Sequence, residues 1–123
     1  MLKDKFFSII NYSGSDAGVD FLVKFNKEHE IYEAHFPNNP ITPGVCVIQV
    51  IKELFSHMKQ EKFMIKKIKS VKFTYPINPL IHPEVNYNLI IEAPDDENIY
   101  QIKATVYSGD VVFSKINLQL LPE

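Results

Sequence analysis

Apolar and polar residues alternate near the start of the chain. Val19, Phe21, Val23 and Phe25 point one way while Asp20, Leu22 and Lys24 point the other, the period of two that a half-buried strand requires. Ahead of that run, Lys5 to Tyr12 is rich in aromatic and β-branched residues, and Gly14-Ser15-Asp16-Ala17-Gly18 supplies turn chemistry. Strand, turn, strand is the simplest reading, followed by a loop or short turn of helix from Asn26 to Ala34. The pattern then changes. Thr42 suits an N-cap and Pro43 a first helical residue, where a missing N–H is harmless, predicting a helix from Pro43 to about Lys59. Val45-Cys46-Val47-Ile48 is apolar on every side, as in a helix packed all round by protein. Gln49, Glu53, Ser56 and Gln60 share a stripe expected to emerge toward water or a partner.

Four strand-like runs follow, Phe63 to Tyr75, Glu84 to Ile91, Ile99 to Tyr107 and Val111 to Leu120. Pro76, Pro79 and Pro83 separate the first two, Pro94-Asp95-Asp96-Glu97-Asn98 makes the next turn, and Ser108-Gly109-Asp110 a tight hairpin. In the last run Val112, Ile116, Leu118 and Leu120 share a face opposite Lys115, Asn117 and Gln119. The order predicts one α+β domain over residues 1–123, a curled antiparallel sheet of about six strands wrapped around one long central helix. Such a layer leaves a sheet edge and part of the helix bare. Edge-to-edge pairing of two copies would cover both.

Composition narrows the functional classes. With 123 residues, the chain can bury about two-thirds of its unfolded surface without a disulfide or metal staple. The lone Cys46 lies in an apolar run with no metal-ligand spacing to any histidine, and reads as a small core residue rather than a nucleophile. No apolar stretch is long enough for a membrane span and no export signal is evident, so a cytoplasmic setting is expected. The net charge of −2 is dispersed, which argues against a nucleic-acid surface. Lys59, Lys62, Lys66, Lys67, Lys69 and Lys72 form the one local basic run.

The segment with most chemistry is His35-Phe36-Pro37-Asn38-Asn39-Pro40-Ile41-Thr42-Pro43-Gly44-Val45, a titratable imidazole before a proline-stiffened turn that feeds an apolar helix. His29, His57 and His82 have no motif around them and read as surface or loop residues.

His35-Phe36-Pro37, Pro40 and Pro43-Gly44-Val45 resemble the active-site motif of the β-hydroxyacyl-acyl carrier protein dehydratases, which have the hot-dog fold. The order of elements is similar across nearly the whole chain, Phe73-Thr74-Tyr75-Pro76-Ile77-Asn78-Pro79 resembles the family's second proline-bearing strand end, and Ala104 to Leu118 resembles its closing strands. Two positions depart. The family has Glu or Asp on the central helix where this chain has Gln49, and Pro-Gly-Asp where it has Pro79-Leu80-Ile81.

Dehydrating a 3-hydroxyacyl thioester needs a base for the α-proton, a donor for the enolate-like oxygen and a group to assist the departing hydroxyl. His35 is the base candidate, since imidazole titrates nearest neutrality. The Gly44 N–H, in the first helical turn where amides lack intrahelical partners, suits an oxyanion, the role the resemblance implies for it. Gln49 cannot deliver a proton but can orient the hydroxyl. Either His35 carries the proton alone, or Glu53, one turn on, substitutes for the missing acid. The plainer reading makes Gln49 and Glu53 the start of a solvated stripe.

The resemblance further implies an apolar acyl tunnel with Phe36, Pro43, Val45, Ile48, Glu53 and Phe73 among its substrate-binding residues, and no metal or redox cofactor. The substrate would ride on the phosphopantetheine of acyl carrier protein. The lysine run is then either a landing patch for that acidic partner or a solvated strand face. The expected activity is 3-hydroxyacyl-acyl carrier protein dehydration in fatty-acid or polyene-like lipid synthesis, by a homodimer or trimer of dimers. Two alternatives stand beside it. One is a hot-dog thioesterase using Glu53 or Glu33; the other is a weakly catalytic acyl-carrier-binding subunit paired with an active dehydratase.

Overall fold

In this computed structural model, which describes residues 1–34 and 38–123, β1 (Phe7–Ser15) and β2 (Gly18–Phe25) form a hairpin closed by Asp16 and Ala17. The strands run further into the expected turn than the residue types suggest. Gly14 pairs with Val19 and Ser15 with Gly18. Gly14 holds φ 141°, and a Cβ there would run into the Gly18 carbonyl oxygen, so the ladder reaches this far because position 14 is glycine. A short helix α1 (Glu30–Ala34) precedes the long helix α2 (Gly44–Lys59). His35, Phe36 and Pro37 lie outside the described residues.

The remaining strands are β3 (Phe63–Phe73), β4 (Glu84–Ile91), β5 (Tyr100–Ser108) and β6 (Val111–Pro122). All neighbours are antiparallel, in the order β1-β2-β4-β5-β6-β3, leaving β1 and β3 at the edges. Val19, Phe21, Val23 and Phe25 are buried together, as their alternation predicts. On the opposite face Asp20 accepts hydrogen bonds from Asn86, Asn88 and Tyr107, which knits β2, β4 and β5 by side chains as well as backbone.

Helix α2 covers the inner face through Val47, Val50, Ile51, Leu54 and Phe55, the i, i+3, i+4 spacing of a single buried stripe. Its first turn is not buried on all sides, contrary to the expectation from four consecutive apolar residues. Val45 is 76% exposed, because the helix lies on one sheet and meets protein on one side there. The polar stripe is also corrected. Glu53 is 1% exposed, held by hydrogen bonds described below. The helix ends where Gln60 adopts φ 55° and turns its N–H back to His57 and Ser56.

The strand β6 differs from its predicted face. Pairing runs from Val106 opposite Ser114 to Tyr107 opposite Val112, so Phe113 is an extra residue in the ladder. That bulge turns Phe113 inward beside Ser114, which already faces in, and leaves Val112 only half-buried, so Phe113 takes the core position expected for Val112. Two further irregularities, at Lys66 and Lys69, interrupt β3 where it pairs with β6.

Candidate active site

The N-terminus of α2 is set by its neighbours rather than by a side-chain cap. Pro43 occupies the N-cap with extended backbone, and α2 begins at Gly44. Thr42, expected to cap, is used otherwise: its Oγ1 lies 2.9 Å from the Tyr32 hydroxyl, and its N–H donates to the Ile77 carbonyl at 2.8 Å. Burial pushes the Tyr32 phenol up to about 12, so it stays protonated at neutral pH and the pair remains a neutral hydrogen bond. Asn78 adds a bond to Asn39 at 3.0 Å. Residues 39 to 42 are thereby clasped to the loop that follows β3, which brings the two proline-bearing segments together.

Within the first turn, the Cys46 and Val47 N–H groups both reach the Pro43 carbonyl, at 3.0 and 3.1 Å. The Gly44 and Val45 amides meet no backbone acceptor among the described residues. N–H groups of this kind, at the positive end of a sixteen-residue helix, favour negative charge nearby. Glycine leaves room here for a neighbouring ring. A Cβ on Gly44 would stand 2.8 Å from Phe73 Cζ and 3.0 Å from Cε2, so the ring occupies the space that a side chain would fill.

An open cleft of about 360 Å³ lies beside this turn. Ile41, Val47, Phe73, Ile77 and Phe113 give it apolar walls, Thr42, Gly44 and Ser114 bring polar groups to it, and the exposed Thr74 and Tyr75 add hydroxyls at its open side. Thr42 is committed to Tyr32. Ser114 is 0% exposed and its Oγ has no hydrogen-bond partner among the described residues.

Further along α2, between its second and third turns, a second arrangement forms. The Glu53 carboxylate accepts the Leu2 N–H at 2.9 and 3.0 Å, the Lys3 N–H at 2.8 Å and Gln49 Nε2 at 3.0 Å. Four hydrogen bonds from three donors explain how a carboxylate is tolerated in the interior. They also occupy it structurally, as an anchor for the beginning of the chain.

The ApeI-like family model, described as the ApeI dehydratase, matches residues 12–114. The chain belongs to that dehydratase family. Solved structures agree on the fold. The ApeI:P dehydratase heterocomplex of Xenorhabdus doucetiae superposes with a TM-score of 0.66 at 18% identity, covering 92% of this chain and 96% of that one. An uncharacterised protein of Erwinia carotovora subsp. atroseptica gives 0.63 at 17% identity, covering 93% and 94%. A homologue of HP0420 from Helicobacter felis gives 0.68 at 12% identity, covering 98% and 90%. No curated protein matches. The sheet and long helix of this ApeI-like dehydratase chain are the hot-dog fold expected from its motif.

Among the residues predicted for the site, Gly44 and Phe73 meet in the cleft, and Pro43 is the N-cap of α2 just before it and does not line it. Ile48 is half-buried against the core and Val45 faces outward, so neither lines this cleft. Gln49 and Glu53 are joined to each other rather than to Gly44. His35 and Phe36 lie outside the described residues. Glu33 is exposed on α1. Cys46 is buried, and burial raises its thiol pKa, which suits the core role read from sequence.

The three other histidines pack edge-on against aromatic rings: His29 on Phe6, His57 on Tyr12 and His82 on Phe113. Ser114 was not among the predicted site residues in this ApeI-like chain. It has the parity of Ile116, Leu118 and Leu120, and a lone hydroxyl on an otherwise apolar face was the available signal.

Proposed function

We propose that the chain dehydrates 3-hydroxyacyl thioesters carried on acyl carrier protein, with His35 as base and Gly44 as oxyanion donor. The observation that carries this reading is the Gly44 amide, without a partner among the described residues, lining a largely apolar cleft in a chain of a dehydratase family. The thioester oxygen would accept from the Gly44 N–H as His35 removes the proton from C2. The C2–C3 double bond then forms as the C3–O bond breaks, and the departing hydroxide takes the proton back from the imidazolium, leaving as water. General acid–base assistance of this kind is worth about 10²–10⁴ in rate.

Gln49 has a narrower part than an acid. Its Nε2 is given to Glu53 and it does not line the cleft beside Gly44, so its part is to hold that carboxylate rather than to protonate the leaving hydroxyl. With no proton available there, His35 serves both steps. No metal or redox cofactor enters this scheme.

The exposed apolar side chains of the β3 edge, Met64, Ile68 and Val71, favour a homo-oligomer paired along that strand. Among the described residues no helix is long and apolar enough to cross a membrane, in keeping with a cytoplasmic setting in fatty-acid or polyene-like lipid synthesis. The lysines of β3 offer the positive surface that an acidic carrier would need.

Purified protein given 3-hydroxyacyl-acyl carrier protein should accumulate an enoyl thioester, followed by its ultraviolet absorbance, and His35→Ala should lose at least about a hundredfold of that rate. Release of free thiol without enoyl product would instead identify a thioesterase. A second reading has its own support. The Xenorhabdus relative is a dehydratase heterocomplex, and Gln49 stands where the family resemblance expects a carboxylate. In that reading the chain binds the acyl carrier for an active partner dehydratase, and carrier binding without turnover would favour it.

A further inference from the structure

We propose that Ser114 is the group by which this cleft recognises the hydroxyl of a 3-hydroxyacyl substrate, an inference that rests on the thioester site proposed above. Three observations meet. Ser114 and Gly44 both line the same cleft. Ser114 is 0% exposed, yet its Oγ has no hydrogen-bond partner among the described residues. It shares the inward parity of Ile116, Leu118 and Leu120, and the bulge at Phe113 sets a second inward side chain beside it.

A buried hydroxyl without a partner is unfavourable in the free protein, and natural interiors satisfy nearly all such groups. A ligand oxygen arriving in the cleft would satisfy it. The other buried hydroxyl at the cleft, on Thr42, is already paired with Tyr32, so it does not compete for that role. The substrate presents two oxygens on neighbouring parts of a short skeleton: the thioester carbonyl, and the hydroxyl two carbons along. The Gly44 amide donates and so takes the carbonyl. Ser114 both donates and accepts, which matches a hydroxyl. A site that pairs a substrate hydroxyl with a buried protein group discriminates against the analogue lacking it, because the protein group is then left unpaired.

The test compares parent and Ser114→Ala for binding two pantetheine amides, 3-hydroxybutanoyl and butanoyl. Their α-protons are less acidic than those of thioesters, so calorimetry follows binding without turnover. The parent should prefer the hydroxylated ligand by about tenfold, and the variant should lose that preference while binding butanoyl-pantetheine amide as the parent does. The thermal midpoint of Ser114→Ala should equal or exceed that of the parent, since no internal bond is removed. A marked fall in midpoint would mean the hydroxyl is satisfied within the fold and would overturn the inference. So would a preference that survives in the variant. If the parent dehydrates 3-hydroxyacyl-acyl carrier protein but shows no such preference, Ser114 alone fails. If the parent neither binds nor turns over, the thioester reading falls with it.

Discussion

Gln49 changes what the helix interior can do. Its amide donates to Glu53, which also holds the Leu2 and Lys3 amides. Glu at position 49 would replace a donor with a second carboxyl against the first, and two such groups share a proton, raising the pKa of one. A pKa raised in the folded state withdraws stability as pH climbs above the unfolded value of about 4.3. Gln49→Glu should therefore lose more thermal stability than the parent between pH 5 and pH 8, read from unfolding midpoints in matched buffers. Equal pH dependence in the two proteins would refute the coupling. The sequence placed Gln49 and Glu53 one turn apart but gave no sign that the chain's own backbone amides would fill the carboxylate. That pairing joins residues some fifty positions apart, Leu2 with Glu53, and short-range pattern does not encode it.

At the scale of elements, the alternation of β2 and the stripe of α2 were legible because each reports burial on a single face. The misreadings arose where a neighbour overrode local chemistry. Thr42 reads as a cap, but Tyr32 and Ile77 claim its hydroxyl and its amide. Val112 has inward parity until the bulge at Phe113 shifts the register. Gly44 was singled out by motif, and the structure adds a packing reason for a glycine there: the Phe73 ring fills the place of its side chain. Phe73 is 53% exposed, so its ring can swing outward at small cost. Gly44→Ala should therefore fold with a midpoint near that of the parent while turnover falls by about tenfold or more, because the methyl group and the displaced ring intrude on the cleft. Adding Phe73→Ala should return part of the rate. A Gly44→Ala protein of unchanged rate would remove Gly44 from the site.

For the whole molecule, the unpaired edge of β3 is the feature with the widest reach. Met64 and Ile68, each 45% exposed, stand on a strand bound on one side to β6 and open on the other among the described residues. Ile68→Glu should lower the mass measured by light scattering toward that of one chain, whereas Ile90→Glu, an equally exposed position inside the sheet, should not. An unchanged mass for Ile68→Glu would place the interface elsewhere. The strand order has a further consequence, for the growing chain. β3 pairs with β6, which is made last of the six, so at about 5–20 residues per second β3 waits roughly 2–8 s after its own synthesis before its partner emerges. During that wait the strand is bare along both sides. Lys66, Lys67, Lys69 and Lys72 then act as gatekeepers, keeping a nascent apolar strand from pairing with the wrong neighbour on the ribosome.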